Sequence, residues 1–227
     1  MAKKRSIQRW LCALAVTVAS GVGAQTPHEA PAQPIASADV APLLKPGDAW
    51  TYRTLDRWKD EEIKRETYTV FAVRAFGYVV ELTEGGSASA KRRRWSQDLN
   101  GLRTPDDVEK DVGWWKFPLT VGNHWESVGP WGRAGRTEIA RKVAGTERIT
   151  TPAGTFDTYR IEGSGRWFPS EQNTGSGVIS ETIWYAPSVK RHVRRDREVR
   201  EASFSMGSFN RLTSQTREEL VEYKLQP

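Results

Sequence analysis

The 227 residues predict an all-β fold, a curved antiparallel sheet forming a barrel or half-barrel. Three observations carry this: short runs rich in β-branched and aromatic residues, turn chemistry between consecutive runs, and a seven-residue turn motif that occurs twice. Thr67 to Val73 and Tyr78 to Leu82 have the composition that a pleated, half-buried surface favours, and Ala75-Phe76-Gly77 between them suits a tight hairpin. Thr151-Pro152-Ala153-Gly154 separates Glu147-Arg148-Ile149 from Thr155 to Ile161. Ala186-Pro187-Ser188 separates Ser180 to Tyr185 from Val189 to Val199 in the same way. Thr216 to Leu225 reads as a half-buried closing strand, with Val221, Tyr223 and Leu225 on one side and Glu222 and Lys224 on the other. One short helix or plug is expected near 105–117. There Thr104 is a capping residue, Pro105 takes the first helical position, and Asp106 and Asp107 follow before Val108 to Trp115.

The repeated motif is Leu-x-x-Gly-Asp/Asn-x-Trp, once at Leu44 to Trp50 and again at Leu119 to Trp125, 75 residues later. Each copy offers a glycine turn followed by an aromatic anchor for the next strand. A fainter echo pairs Trp95 to Gly101 with Trp184 to Val189. Two duplicated β-meanders would give a sheet that curls toward a barrel.

The domain organisation follows from composition. Lys3, Lys4, Arg5 and Arg9 precede an uncharged run from Trp10 to Val22, and Val22-Gly23-Ala24 supplies small residues before Gln25. Residues 1–24 therefore read as a signal peptide, because the apolar run is shorter than the roughly 20 residues a bilayer-spanning helix needs. Cys12 lies near the start of that run, whereas a lipid-bearing cysteine follows it, which argues against lipid attachment. Residues 25–42, with Pro27, Pro31, Pro34 and Pro42 among alanines, read as a flexible tether, and 43–227 as a single β domain. A form cleaved after Ala24 would be periplasmic or secreted. Four of the 34 basic residues and none of the 28 acidic ones lie in the signal, so the net charge falls from +6 to +2 on cleavage. Charge is then a poor pointer to nucleic acid, and export removes the chain from it. Cys12 is the only cysteine, so the mature form can have no disulfide, thiolate metal site or cysteine nucleophile.

Phe117-Pro118-Leu119-Thr120-Val121-Gly122-Asn123-His124-Trp125, Thr151 to Ile161 and Trp184-Tyr185-Ala186-Pro187-Ser188-Val189 occur in the order of a pattern "FPL-x-VG-x-x-W … PAGTF-x-x-Y-x-I … WYAP-x-VG". In this the chain resembles a group of uncharacterised exported bacterial β-proteins over roughly Leu44 to the end. The resemblance implies a curved antiparallel sheet similar to the half-barrels of lipoprotein carriers, and no activity. Lys190 stands where that pattern has glycine, which bears on the turn geometry there.

Chemistry is sparse. His28, His124 and His192 have no second histidine at metal-ligand spacing, so neither a metal nor another cofactor is expected. Gly163-Ser164-Gly165 and Gly175-Ser176-Gly177 complete no nucleophile elbow, and Gly163 to Gly177 reads as a flexible loop. Asp106, Asp107, Glu109 and Asp111 suit a helix's first turn better than acid–base work. Two basic runs remain, Lys91-Arg92-Arg93-Arg94 and Lys190 to Arg197, the latter with Arg191, Arg194 and Arg195. Strand alternation divides each run between two faces, and both are candidates for contact with an anionic surface. Trp114, Trp115 and Trp125 fall in a dense aromatic segment. Adjacent Trp114 and Trp115 cannot both point inward from one strand, so one of them could line a ligand-binding mouth.

The function expected is non-enzymatic: a periplasmic binding or envelope-maintenance protein that holds a lipid or other amphipathic small molecule and is not an integral membrane protein. Two alternatives are a protein-interaction or structural module with a filled core, whose basic strand meets an envelope partner, and a carbohydrate-directed hydrolase. A carrier calls for an apolar concavity, a module for a filled core and a flat patch. A hydrolase calls for two carboxylates roughly 5–10 Å apart across a cleft.

Overall fold

A computed structural model of the chain describes residues 35–85, 87, 89–103, 110–131, 135–169, 175–202 and 209–227. The expected signal peptide lies outside the described residues. Twelve strands follow one another: β1 (Ala49–Asp56), β2 (Glu61–Arg74), β3 (Gly77–Glu84), β4 (Lys91–Ser96), β5 (Leu102–Arg103), β6 (Lys110–Asp111), β7 (His124–Trp131), β8 (Gly135–Thr151), β9 (Gly154–Phe168), β10 (Ser176–Ala186), β11 (Arg191–Ala202) and β12 (Phe209–Lys224). Ten of them form one antiparallel sheet in the order β4-β3-β2-β1-β12-β11-β10-β9-β8-β7, and β5 pairs with β6 alone. The first and last long strands are thus neighbours at the centre of the sheet, each continuing a meander outward. β4 and β7 are its edges, so the sheet is an open half-barrel and not a closed barrel.

Contacts across the sheet establish its curvature. Trp95 on β4 and Arg191 on β11 are five strand positions apart, which in a flat sheet is roughly 24 Å at about 4.8 Å per strand. The Arg191 guanidinium nevertheless lies 4.0 Å from the centre of a Trp95 ring. Ala153 N–H, in the β8–β9 turn, likewise donates to Leu220 O on β12 at 3.2 Å. The core fills the concave side: Trp50, Tyr52, Val70, Val80, Val143, Ile161, Ile183 and Leu220 belong to one continuous cluster. Full burial of each such side chain stabilises the fold by roughly 1.5–3 kcal/mol.

The duplicated motif has a duplicated geometry. Gly47 and Gly122 adopt φ of 89° and 92°, left-handed values open to glycine without steric cost. Gly47 N–H donates to Val70 O and Val70 N–H to Asp48 O, both at 2.8 Å. Gly122 N–H donates to Val143 O at 2.8 Å and Val143 N–H to Asn123 O at 2.9 Å. The pairing register shifts just after each of these valines, between Val70 and Ala72 and between Val143 and Gly145. β1–β6 and β7–β12 therefore repeat one plan. In the second half β11 and β12 lengthen and close onto β1, whereas their counterparts β5 and β6 stay two residues long. In the fainter echo each turn has one left-handed residue, Leu99 at φ 64° and Lys190 at φ 60°, but four and six positions after their tryptophans. Trp95 and Trp184 are both buried in the one core cluster, Trp95 beside Tyr68 and Trp184 with its indole N–H donating to Glu147.

Four expectations change. Of the short helix or plug near 105–117, residues 105–109 and the capping Thr104 lie outside the described residues, Lys110–Asp111 is strand β6, and 112–117 is irregular, a plug and not a helix. In β12 the fully buried residue is Leu220, while Tyr223 is 39% exposed. Tyr52 pairs with Leu220 and Thr51 with Glu222, so Val221 bulges out and resets the alternation. Gly163 to Phe168 and Ser176 to Gly177 belong to β9 and β10, so the expected loop is confined to 169–175, of which 170–174 lie outside the described residues. Within the expected tether, Ala38 is buried, its carbonyl accepts from Leu119 N–H at 2.9 Å, and Tyr159 donates to Ala36 O at 3.4 Å.

Lys190 resolves the missing glycine. It takes the left-handed conformation itself, at φ 60° and ψ 16°, which strains a side-chain-bearing residue. Its ammonium offsets that strain by donating to Leu43 O at 2.9 Å and pairing with the fully buried Asp48 at 3.3 Å. Lys190→Ala keeps the strain and loses both contacts, whereas Lys190→Gly loses the contacts and relieves the strain. Urea denaturation is expected to find the alanine variant about 1 kcal/mol less stable than the glycine variant; equal stabilities would contradict the account.

Candidate functional site

The concave face carries a layer of charges. Arg141 lies on the inward side of β8 between Ile139 and Val143, Glu181 on β10 between Ile179 and Ile183, and Arg195 and Glu218 face each other on β11 and β12. Gly163 on β9 stands between Arg141 and Glu181 in the register. A Cβ at Gly163 would come within 3.0 Å of Glu181 Cγ, so the missing side chain is what lets the two charges meet over β9. Arg141 pairs with Glu181 through one Nη and donates to Ser127 Oγ through the other, and the pair is 1% and 3% exposed. Glu218 accepts from Arg195 at 3.0 Å and from His192 Nε2 at 2.5 Å. Arg197 faces Glu181 across the β10–β11 pair.

Electrostatics fixes the protonation of this layer. Burial would raise the Glu181 carboxyl, but Arg141, Arg195 and Arg197 outweigh it and hold the group below its ordinary value. For Glu218 burial is again outweighed, by Arg195 and by the His192 hydrogen bond. Burial pushes His192 down more than Glu218 pushes it up, so the imidazole is neutral. Its Nε2–H then serves Glu218, while Nδ1 is left without a partner. Both carboxylates are held ionised, the opposite of what a general acid in a hydrolase requires.

One end of this concavity is sealed by aromatics. Tyr52 stacks on His192 with ring centres 4.6 Å apart and donates to His192 O at 2.8 Å. Arg191 lies over Trp95, with Trp50 and Tyr68 rings 5.7 and 5.9 Å away. Among the described residues, no carboxylate lies within ion-pair distance of Arg191, and its Nε has no partner. The segment after β6 crosses the concavity as a plug. Asn100 holds it like a neighbouring strand, accepting from Trp115 N–H at 2.7 Å and donating to Trp115 O at 3.0 Å.

The plug sorts the expected mouth residues. Trp115 is 4% exposed and packs against Tyr185 and His192, and Trp125 is 6% exposed with its indole N–H bound to Gly113 O. Both are core. Trp114 alone is half-buried, with the Arg195 and Arg141 guanidiniums 5.1 and 5.9 Å from its rings. The expected basic surface is not one surface. Lys91, Arg92, Arg93 and Arg94 lie exposed on edge strand β4, where Lys91 pairs with Glu84, Arg92 covers Phe71 and Arg94 covers Phe76. Five strand positions away, Arg194 pairs with Asp196, while Arg195 belongs to the interior layer. Sequence reasoning singled out none of Arg141, Glu181 and Glu218, and took Arg191 only as part of the basic run Lys190 to Arg197. The signal that finds three of them is a charged residue standing in the apolar phase of an alternating strand: Ile139-x-Arg141-x-Val143, Ile179-x-Glu181-x-Ile183 and Glu218-x-Leu220.

Among the described residues, no group of three or more histidine, cysteine, aspartate or glutamate side chains is arranged to hold a metal, and no helix is long and apolar enough to cross a membrane. No protein-family model matches the chain, and no curated protein matches it. Two solved structures are similar to it. A Parabacteroides distasonis protein assigned as a lipoprotein is 17% identical with a TM-score of 0.50, the match covering 85% of this chain and all of that one. A Bacteroides fragilis protein assigned as exported, with a YmcC-like fold, is 16% identical with a TM-score of 0.45, covering 80% of this chain and 97% of that one. At such identity, the likeness to the Parabacteroides protein speaks to the fold alone.

The layer makes stability depend on pH in two stages. His192 is neutral when folded but takes a proton below about pH 6.5 when unfolded, so its contribution is complete above 6.5 and is lost as pH falls. Glu181 and Glu218 sit below their ordinary value of 4.5, so their contribution is complete above 4.5 and is lost as pH falls through the folded values. Unfolding free energy is expected to drop between pH 6.5 and 5 by up to about 1.4 kcal/mol per pH unit. In His192→Gln, which keeps a donor for Glu218, that first stage should vanish while the acid stage stays. A wild-type profile flat from pH 7.5 to 5 would contradict the neutral, buried histidine.

Proposed function

We propose that this chain is an exported envelope protein, without catalytic activity, that holds one amphipathic molecule against the concave face of its sheet with Trp114 at the mouth. The observation that carries this reading is Trp114, half-buried with the Arg195 and Arg141 guanidiniums 5.1 and 5.9 Å from its rings. Beside it the Arg195 and Glu218 side chains are 16% and 13% exposed, whereas Tyr52 and Tyr185 are each 1% exposed. One half-open face thus offers aromatic surface and charge side by side. That favours a molecule with apolar and polar parts over a wholly apolar one, for which the expected concavity would have to lack charges. Trp115 and Trp125, being core, take no part. The basic start and short apolar run of the sequence support export, and the assignment of the Parabacteroides distasonis neighbour as a lipoprotein is in keeping with an envelope location.

Native mass spectrometry of the protein purified from the periplasm without detergent tests this. The expected result is a bound mass that disappears on denaturation and extracts as lipid, with occupancy at least tenfold lower in Trp114→Ala. A clean apo mass in the wild type, together with retention of an envelope protein on the immobilised chain, would replace the carrier by the interaction module.

A further inference from the structure

We infer that the end of the sheet formed by the β2–β3 hairpin and residues 40–43 docks on an anionic lipid surface. Val40, Leu43 and Phe76 enter its head-group layer, and Arg74 and Arg93 hold its phosphates. This goes beyond the molecule held on the concave face and is independent of it.

Among the described residues, Leu43 and Val40 are the most exposed large apolar side chains, at 82% and 77%. They stand on anchored backbone. Ala38 O accepts from Leu119 N–H at 2.9 Å, Leu43 O accepts from Lys190 Nζ at 2.9 Å, and the buried Leu44 donates its N–H to Tyr78 OH at 3.3 Å. The fold thus holds both side chains out in the solvent. Together with Val73, itself 46% exposed, and Arg74, they line a hollow of about 340 Å³ in which Asp98 is the single carboxylate. Exposed apolar residues scattered singly are ordinary on a protein surface; three around one hollow mark a contact.

Arginine accompanies the apolar side chains. Phe76, half-buried between β2 and β3, has the Arg94 guanidinium 4.0 Å from its ring centre, and Phe71, 48% exposed, has that of Arg92 at 4.4 Å. Arg74 and Arg93 are exposed and donate to the carbonyls of Val73 and Arg92, and among the described residues no carboxylate lies within ion-pair distance of either. Guanidinium forks fit phosphate oxygens, while apolar neighbours gain by entering the acyl boundary. A protein partner of ordinary affinity buries about 800 Å² of fitted surface on each side. Here the side chains project from a loop, a hairpin and an edge strand around a hollow, a relief to which mobile head groups adapt. Ile35 is packed against the core five residues before Val40, at most about 18 Å of chain from it. The basic start and apolar run of the sequence are therefore joined to the fold near this end.

Co-sedimentation of the protein purified from the periplasm with lipid vesicles tests this. Vesicles of phosphatidylglycerol and phosphatidylcholine in equal parts are expected to bind it at least tenfold more tightly than phosphatidylcholine alone, and less tightly as salt rises. Leu43→Ser and Arg74→Gln, with melting curves showing that both fold, should each weaken that binding at least fivefold. Trp58→Ser removes an exposed ring at the opposite end of β2 and should leave it unchanged. Equal binding to both kinds of vesicle would overturn the anionic surface. Absence of binding, or a loss in Trp58→Ser as large as in Leu43→Ser, would overturn the docking end. Dimerisation without vesicles that Leu43→Ser abolishes would assign this end to a second copy of the chain and overturn the lipid reading.

Discussion

A guanidinium inside a folded protein must find partners for five N–H groups and for its charge, because water is no longer there to supply either. Arg141 has its charge met by Glu181 and part of its hydrogen-bonding need met by Ser127 and Glu181, with Nε left over, and much of the surrounding architecture follows from this. β9 carries Gly163 where β8 and β10 carry the ion pair, since any side chain there would occupy the space the two charges share. Removing one member of such a pair leaves the other buried and uncompensated, a loss of about 3–5 kcal/mol. The layer therefore specifies this arrangement of β8, β9 and β10 more strictly than apolar packing alone. Outer-face pairs such as Arg53–Glu219 and Arg217–Asp196 are more open to solvent on the arginine side and contribute less.

The same layer accounts for the plug. An open half-barrel with a charged concave face needs a cover that keeps ion pairs dry at one end without sealing the other. Asn100 supplies the backbone-like bonds that hold the plug, and Trp115 closes over His192 and Tyr185. The two halves of the chain divide this labour. The second half extends into β11 and β12 and carries Arg195 and Glu218, whereas the first stops at β5 and β6 and hands its chain on to the plug.

What the sequence makes legible is local. Strands rich in valine, threonine and aromatics, the Pro-Ala-Gly turn and the twice-used Leu-x-x-Gly-Asp/Asn-x-Trp motif are each decided within a few residues, and the structure contains them all. Features that depend on pairing are not. Val221 looks inward by alternation, and only the register with β1 reveals it as a bulge that gives the buried place to Leu220. Gly163 and Gly165 have loop composition, and only the neighbouring strands explain glycines inside β9: the charges of Arg141 and Glu181 at Gly163, and the backbone of Glu138 and Ile139 at Gly165. Adjacent tryptophans at 114 and 115 announce that one of them differs from the other. Which one is core is settled by Asn100, fifteen residues before Trp115, through its grip on that residue. The site was hidden for the same reason: Arg141, Glu181 and Glu218 lie on three strands far apart in sequence, and each looks like a surface charge until the faces are known.

The claim on which the rest depends is that guanidiniums lie buried inside the sheet. The most direct test is nitrogen-15 NMR of the arginine Nε–H groups, with hydrogen exchange read residue by residue. Dispersed, slowly exchanging Nε–H signals are predicted for Arg141, Arg191 and Arg195, and fast exchange for Arg92 on the exposed edge strand. If all arginine Nε–H groups exchanged as rapidly as those of Arg92, the charged layer would be open to water, and the account of both the fold and the site would fail.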